Sequence, residues 1–97
     1  MTYRNRKLLD LAHDMPCQAK FPHQCTGHLG CEPAHSDSST WGRGIGHKSH
    51  DFAFAAMCHN AHKELSYMGR EEKASEWTRA HVATMEKLWS DGKVKVA

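Results

Sequence analysis

The sequence predicts a small α+β domain: a two-stranded hairpin with flanking helices, stapled by a bound metal. Three observations carry that expectation. Four cysteines, Cys17, Cys25, Cys31 and Cys58, fall in a chain of only 97 residues. Two short segments of extended character flank a basic loop containing Gly42, Gly44 and Gly46. Residues 71–90 repeat apolar side chains near the helical period. A chain this short forms one domain, residues 1–97, and buries only roughly 60–65% of its unfolded surface, so a staple is expected to assist its core.

Residues 4–14 form the first predicted helix, with Leu8, Leu11 and Ala12 on one face and Pro16 beyond its end. Residues 17–31 hold three cysteines with little periodicity and form a knuckle, in which Gly27 and Gly30 supply tight turns. Glu32 to Asp37 is a short extended segment, and Ser38 to His50 is a loop. Asp51 to Met57 forms the second strand, with Phe52 and Phe54 on one face. Helical character resumes at Cys58 and runs to Tyr67, stopping near Gly69 as a C-cap. The last helix spans Glu71 to Ser90 on Ala74, Trp77, His81, Met85 and Leu88. Gly92 ends it, and Val94 and Val96 are candidates for an edge strand.

The amino-terminal segment is interrupted by charge at Arg4, Arg6, Lys7 and Asp10, unlike a secretory signal. No segment approaches the roughly 20 apolar residues of a membrane span. The expectation is a cytoplasmic protein with no membrane partner. In that reducing setting, clustered cysteine and histidine favour metal over disulfides. Cysteine thiolates suit zinc, and a closed structural site takes four ligands. Cys17, Cys25, Cys31 and Cys58 supply four, while a rival set takes Cys17, Cys25 and Cys58 with His59 or His62.

The net charge of +2 makes no case for nucleic acid by itself, but its distribution does. Residues 38–50 contain Arg43, Lys48, His47 and His50 and no acid. Alternating glycines let the backbone approach phosphate, Arg43, His47 and Lys48 supply charge, and Trp41 can stack a base. The spacing is not that of a P-loop. His35, after Pro33 and Ala34, is a candidate general base, because imidazole takes protons near neutral pH. His59 and His62, three apart on a helix, can face one divalent cation. His62 is the stronger candidate, being one turn beyond Cys58. His13, His23, His28 and His81 are expected to be ordinary surface or amphipathic residues.

Cys17 and Cys25 with seven residues between them, Pro33-Ala34-His35, the glycine-rich loop, Lys48-Ser49-His50-Asp51, Cys58 and His62 together resemble the small phage and prophage nucleases of the YbcO type. These belong to the HNH, or ββα-metal, superfamily, alongside the RecA-dependent phage nuclease Ref. The resemblance covers residues 5–68. It implies a zinc-stapled ββα fold in which His35 is the general base and His62 a ligand of the catalytic ion, with Asp51 near the start of the second strand. Two positions depart from the pattern. Ala61 replaces the second cysteine of the usual CxxCH, which leaves Cys31 to complete the zinc site. Ala34 stands where Asp or His often precedes the base, which leaves Asp37 or His50 to complete the ion site.

The implied function is that of a phage-derived DNA endonuclease, monomeric or dimeric. His35 deprotonates water, Mg²⁺ or Mn²⁺ is held by His62 with Asp37 or Asp51, and Arg43, Lys48, His47 and Trp41 meet the DNA. A phage or host recombinase is an expected partner. The alternatives are a zinc-stapled nucleic-acid-binding module without catalysis and a protein-interaction role in phage takeover.

Overall fold

The computed structural model describes residues 3–36, 50–94 and 96. Its order is a helix α1 (Arg6–Asp10) running into a 3₁₀ turn (Leu11–Asp14), a second 3₁₀ turn (Gly27–Leu29), strands β1 (Glu32–His35) and β2 (Phe54–Met57), then helices α2 (His59–Ser66) and α3 (Arg70–Ser90). The chain is therefore a small α+β domain. The predicted helix at 4–14 is present, but tightens into 3₁₀ geometry before Pro16, where the α pattern cannot continue. Asn5 caps it, its Oδ1 accepting the Leu8 N–H at 3.2 Å.

β1 and β2 pair antiparallel, with Glu32 opposite Met57, Pro33 opposite Ala56, Ala34 opposite Ala55 and His35 opposite Phe54. Pro33 has no amide to offer its neighbour, and Ala56 needs none. The Ala56 N–H donates to Thr84 Oγ1 at 3.0 Å, and the Ala56 carbonyl accepts the Gln18 N–H at 2.8 Å. His81 Nδ1 donates to the Phe54 carbonyl at 2.7 Å. The far edge of β2 is thus occupied by the chain around Gln18 and by polar side chains of α3, which removes an edge that would otherwise template aggregation. Every residue of β2 is buried.

The second strand is shorter than the sequence suggests, and Phe52 and Phe54 do not share a face. A turn closed by the Ala53 N–H on the His50 carbonyl at 2.9 Å precedes pairing. It leaves Phe52 exposed, stacked on His50 with ring centroids 5.0 Å apart, while Phe54 is fully buried.

Trp77, Ala80, His81, Thr84 and Leu88 form the inner face of α3. Ala80 and Thr84 are small, which lets the helix approach a sheet that itself presents Ala34, Ala55 and Ala56. Ala74, expected on this face, lies one turn before the covered sheet and is exposed. Gly69 is the N-cap of α3, and Tyr67 the C-cap of α2. Glu71 and Glu72 fall in the first turn of α3, where the helix dipole favours them. Val94 and Val96 add no strand. The Lys93 N–H turns back onto the Leu88 carbonyl at 2.9 Å, and the sheet has two strands among the described residues. No helix among those residues is long and apolar enough to cross a membrane.

Candidate functional site

Cys58 follows β2 directly and caps α2, its Sγ accepting the Ala61 N–H at 3.4 Å. Cys17 is brought to it because the next residue, Gln18, is pinned to Ala56 of β2. The Cys58 N–H donates to Cys17 Sγ at 3.3 Å, and the Gly27 N–H to Cys25 Sγ at 3.4 Å. Gly30, at a φ of 99° that only glycine adopts easily, turns the chain from this knuckle into β1.

One donor atom from each of Cys17, His23, Cys25 and Cys58 lies within 4.8 Å of all the others. Tetrahedral zinc with bonds of about 2.0–2.3 Å separates its ligand atoms by about 3.3–3.8 Å. His23 Nε2 stands 3.6 Å from Cys17 Sγ. His23 Nδ1 donates to the Phe21 carbonyl at 2.8 Å, so the ring presents its Nε2 lone pair to the sulfurs. Three cysteine sulfurs and one oriented imidazole, with three amides aimed at the sulfurs, form a donor set that can bind a metal such as zinc.

The thiols differ in how readily they give up a proton. Burial works against the Cys58 thiolate, yet the Thr26 and Ala61 amides, the Thr26 hydroxyl and Cys17 bring its pKa down to about 6. Burial pushes Cys17 up, as does the charge of Cys58, against the Cys58 and Ala19 amides. Burial and then the charges of Cys17, Cys58 and Cys25 push Cys31 up to about 12.

Cys31 was the expected fourth zinc ligand; the mutually close set has His23 as its fourth member. Cys31 is buried, and the charges of Cys17, Cys58 and Cys25 reach it. His23 was expected to be an ordinary surface or amphipathic residue. Its signal was the short His23-Gln24-Cys25 spacing, which sets two donors together once Ala61 has removed a cysteine. His59 and His62, the rival fourth ligands, turn instead to Glu32, whose Oε1 is 3.6 Å and 2.6 Å from their respective Nδ1 atoms.

His35 ends β1, and its Nε2 lies 3.9 Å from Asp51 Oδ1. Asp51 also ties down the amino-terminal segment. Its carboxylate accepts Arg4 Nη1 at 2.9 Å and the Asn5 N–H at 2.5 Å, while its own amide donates to the Tyr3 carbonyl at 3.0 Å. Burial would raise the Asp51 carboxyl, but Asn5, Arg4 and His35 hold it below its ordinary value. Arg4 and Asn5 carried no sequence signal for this role, being more than 40 residues away.

His35 and His62 thus keep different company. Glu32 and His35 are three residues apart on an extended strand, about 10 Å along it and pointing to opposite faces. The remaining sequence candidates, Asp37, Trp41, Arg43, His47 and Lys48, lie outside the described residues. Compared with protein-family models, with curated proteins and with solved structures, the chain has no match.

Proposed function

We propose that this protein is a small metal-dependent DNA endonuclease, stapled by zinc on Cys17, His23, Cys25 and Cys58, with His35 as its general base. The observation that carries this reading is the His35–Asp51 pair at 3.9 Å, at the hairpin end where the chain enters the segment containing Arg43 and Lys48. A neutral imidazole there takes the proton of an attacking water, and an ionised Asp51 stabilises the imidazolium that results. Arg43, Lys48, His47 and Trp41 supply the chemistry for phosphate and base recognition. A divalent cation such as Mg²⁺ or Mn²⁺ would supply charge stabilisation at the scissile phosphate. Of its expected ligands, Asp51 is engaged by Arg4 and Asn5 beside His35, and His62 meets Glu32, whose side chain points to the opposite face of the strand from His35. The resemblance to YbcO-type nucleases supports a phage setting and a recombinase partner.

The test is nicking of supercoiled plasmid by the zinc-loaded protein with Mg²⁺ or Mn²⁺. The wild type is expected to nick, and His35→Ala to lower the rate by about 10²–10⁴-fold with zinc content unchanged. No metal-dependent nicking by the wild type overturns the reading.

The engagement of Asp51 by Arg4 and Asn5 favours a second reading, a nucleic-acid-binding module without catalysis. That module shifts DNA in a gel without nicking it. Replacing Arg43 and Lys48 by alanine would lower the salt slope of its binding by about 0.7–0.9 for each phosphate no longer neutralised.

A further inference from the structure

Glu32 opens β1 opposite Met57, and Met57 is followed by the Cys58 cap of α2. That register brings its carboxylate to the first turn of α2, where His59 and His62 lie three residues apart on one face. A single oxygen, Glu32 Oε1, meets both imidazoles, at 2.6 Å from His62 Nδ1 and 3.6 Å from His59 Nδ1. A salt bridge accounts for one histidine but not for the second. The second imidazole nitrogen at the same oxygen makes the arrangement a cluster of three potential metal donors.

We propose that Glu32, His59 and His62 form a divalent-cation site separate from the Cys17, His23, Cys25 and Cys58 centre. Two imidazoles and one carboxylate suit a borderline transition ion such as Mn²⁺, Co²⁺ or Zn²⁺. The ion takes the place of the proton between Oε1 and the imidazole nitrogens, so protons compete with it as pH falls. Side chains of Glu32, His59 and His62 are 38%, 76% and 40% exposed, so three protein ligands leave further coordination positions to water or to a phosphate oxygen. The exposed His59 ring is free of the core and can swing onto the ion. The site does not rest on the nuclease reading, because Glu32 and His35 lie about 10 Å apart along β1 and point to opposite faces, so an ion held here is remote from a phosphate attacked beside His35.

The experiment is a calorimetric titration of zinc-loaded protein with Mn²⁺, repeated on Glu32→Gln, His59→Gln and His62→Gln, with zinc content and far-ultraviolet circular dichroism as controls. The wild type is expected to bind one Mn²⁺ beyond its zinc. Each variant is expected to weaken it at least about tenfold, since even outer-shell losses cost that much. No Mn²⁺ bound by the wild type, or Mn²⁺ bound equally well by Glu32→Gln with an intact fold, overturns the site. Plasmid nicking is measured in parallel. Binding without nicking upholds the site and overturns the nuclease reading, whereas nicking with Mn²⁺ held elsewhere upholds the nuclease and overturns the site.

Discussion

The Nδ1–H of His23 donates to the Phe21 carbonyl at 2.8 Å, and this one bond aims Nε2 at the sulfur of Cys17, 3.6 Å away. A ligand whose tautomer and orientation are set before metal arrives loses little freedom on binding it. His23→Ala is therefore expected to release zinc to a chelator far more readily than wild type, and to lose its cooperative thermal transition, because structural zinc sustains so small a fold. Cys31→Ser, by contrast, is expected to keep a full equivalent of zinc. Metal analysis after dialysis against a chelator checks both, and zinc loss from Cys31→Ser with retention in His23→Ala would restore Cys31 as the ligand.

The elements were legible where one local rule decided them. The period of Trp77, His81 and Leu88 located α3, the apolar run ending at Met57 located β2, and three cysteines within residues 17–31 marked the knuckle. What escaped was set by partners distant in sequence. Nothing around residue 4 announces a bond to Asp51, and nothing near Ala56 announces Thr84, 28 residues on. Phe52 looked like a strand residue because alternation alone cannot see the turn that points it outward. His23 was passed over because one histidine among nine has no meaning until the fold supplies its neighbours.

Thr84 is buried, accepts the Ala56 amide at 3.0 Å and donates to the Ala80 carbonyl at 2.8 Å. Thr84→Val keeps the volume but strands the Ala56 N–H inside the protein. The expected loss is about 1–3 kcal/mol in chemical denaturation, whereas Thr84→Ser, which keeps the oxygen, costs less. Equal losses for the two variants would mean that packing of the methyl group, and not the hydrogen bond, holds α3 to β2.

His81 stacks on Trp77 with ring centroids 4.8 Å apart, and donates to Phe54. Burial lowers its pKa below 6.5, with the Phe54 bond acting in the opposite sense. The unfolded chain therefore binds a proton that the folded one refuses, so stability falls as pH drops below about 6.5 toward the folded pKa. Loss in acid of a metal held by Cys17, His23, Cys25 and Cys58 would destabilise wild type and His81→Gln alike, which makes their difference the informative quantity. The variant is expected to melt below wild type at pH 8, with the gap narrowing by pH 5. A gap that stays constant across that range would show that the proton on His81 is not the cause.

Asp51 joins the amino-terminal segment to the His35 end of the hairpin, and the two roles can be separated. Asp51→Asn keeps the shape but loses the charge that Arg4 and the Asn5 amide meet, at an expected cost of about 1–3 kcal/mol. Its lowered carboxyl pKa makes this contribution present at neutral pH and lost as pH falls below 3.8 and through the folded value. Arg4→Ala removes one tie to the segment yet leaves the carboxylate 3.9 Å from His35. If Asp51 serves the base, Asp51→Asn lowers plasmid nicking and shifts the acid limb of its pH profile, while Arg4→Ala lowers stability and leaves that limb in place. Matching losses of activity in the two variants, with unshifted profiles, would assign Asp51 to the fold alone.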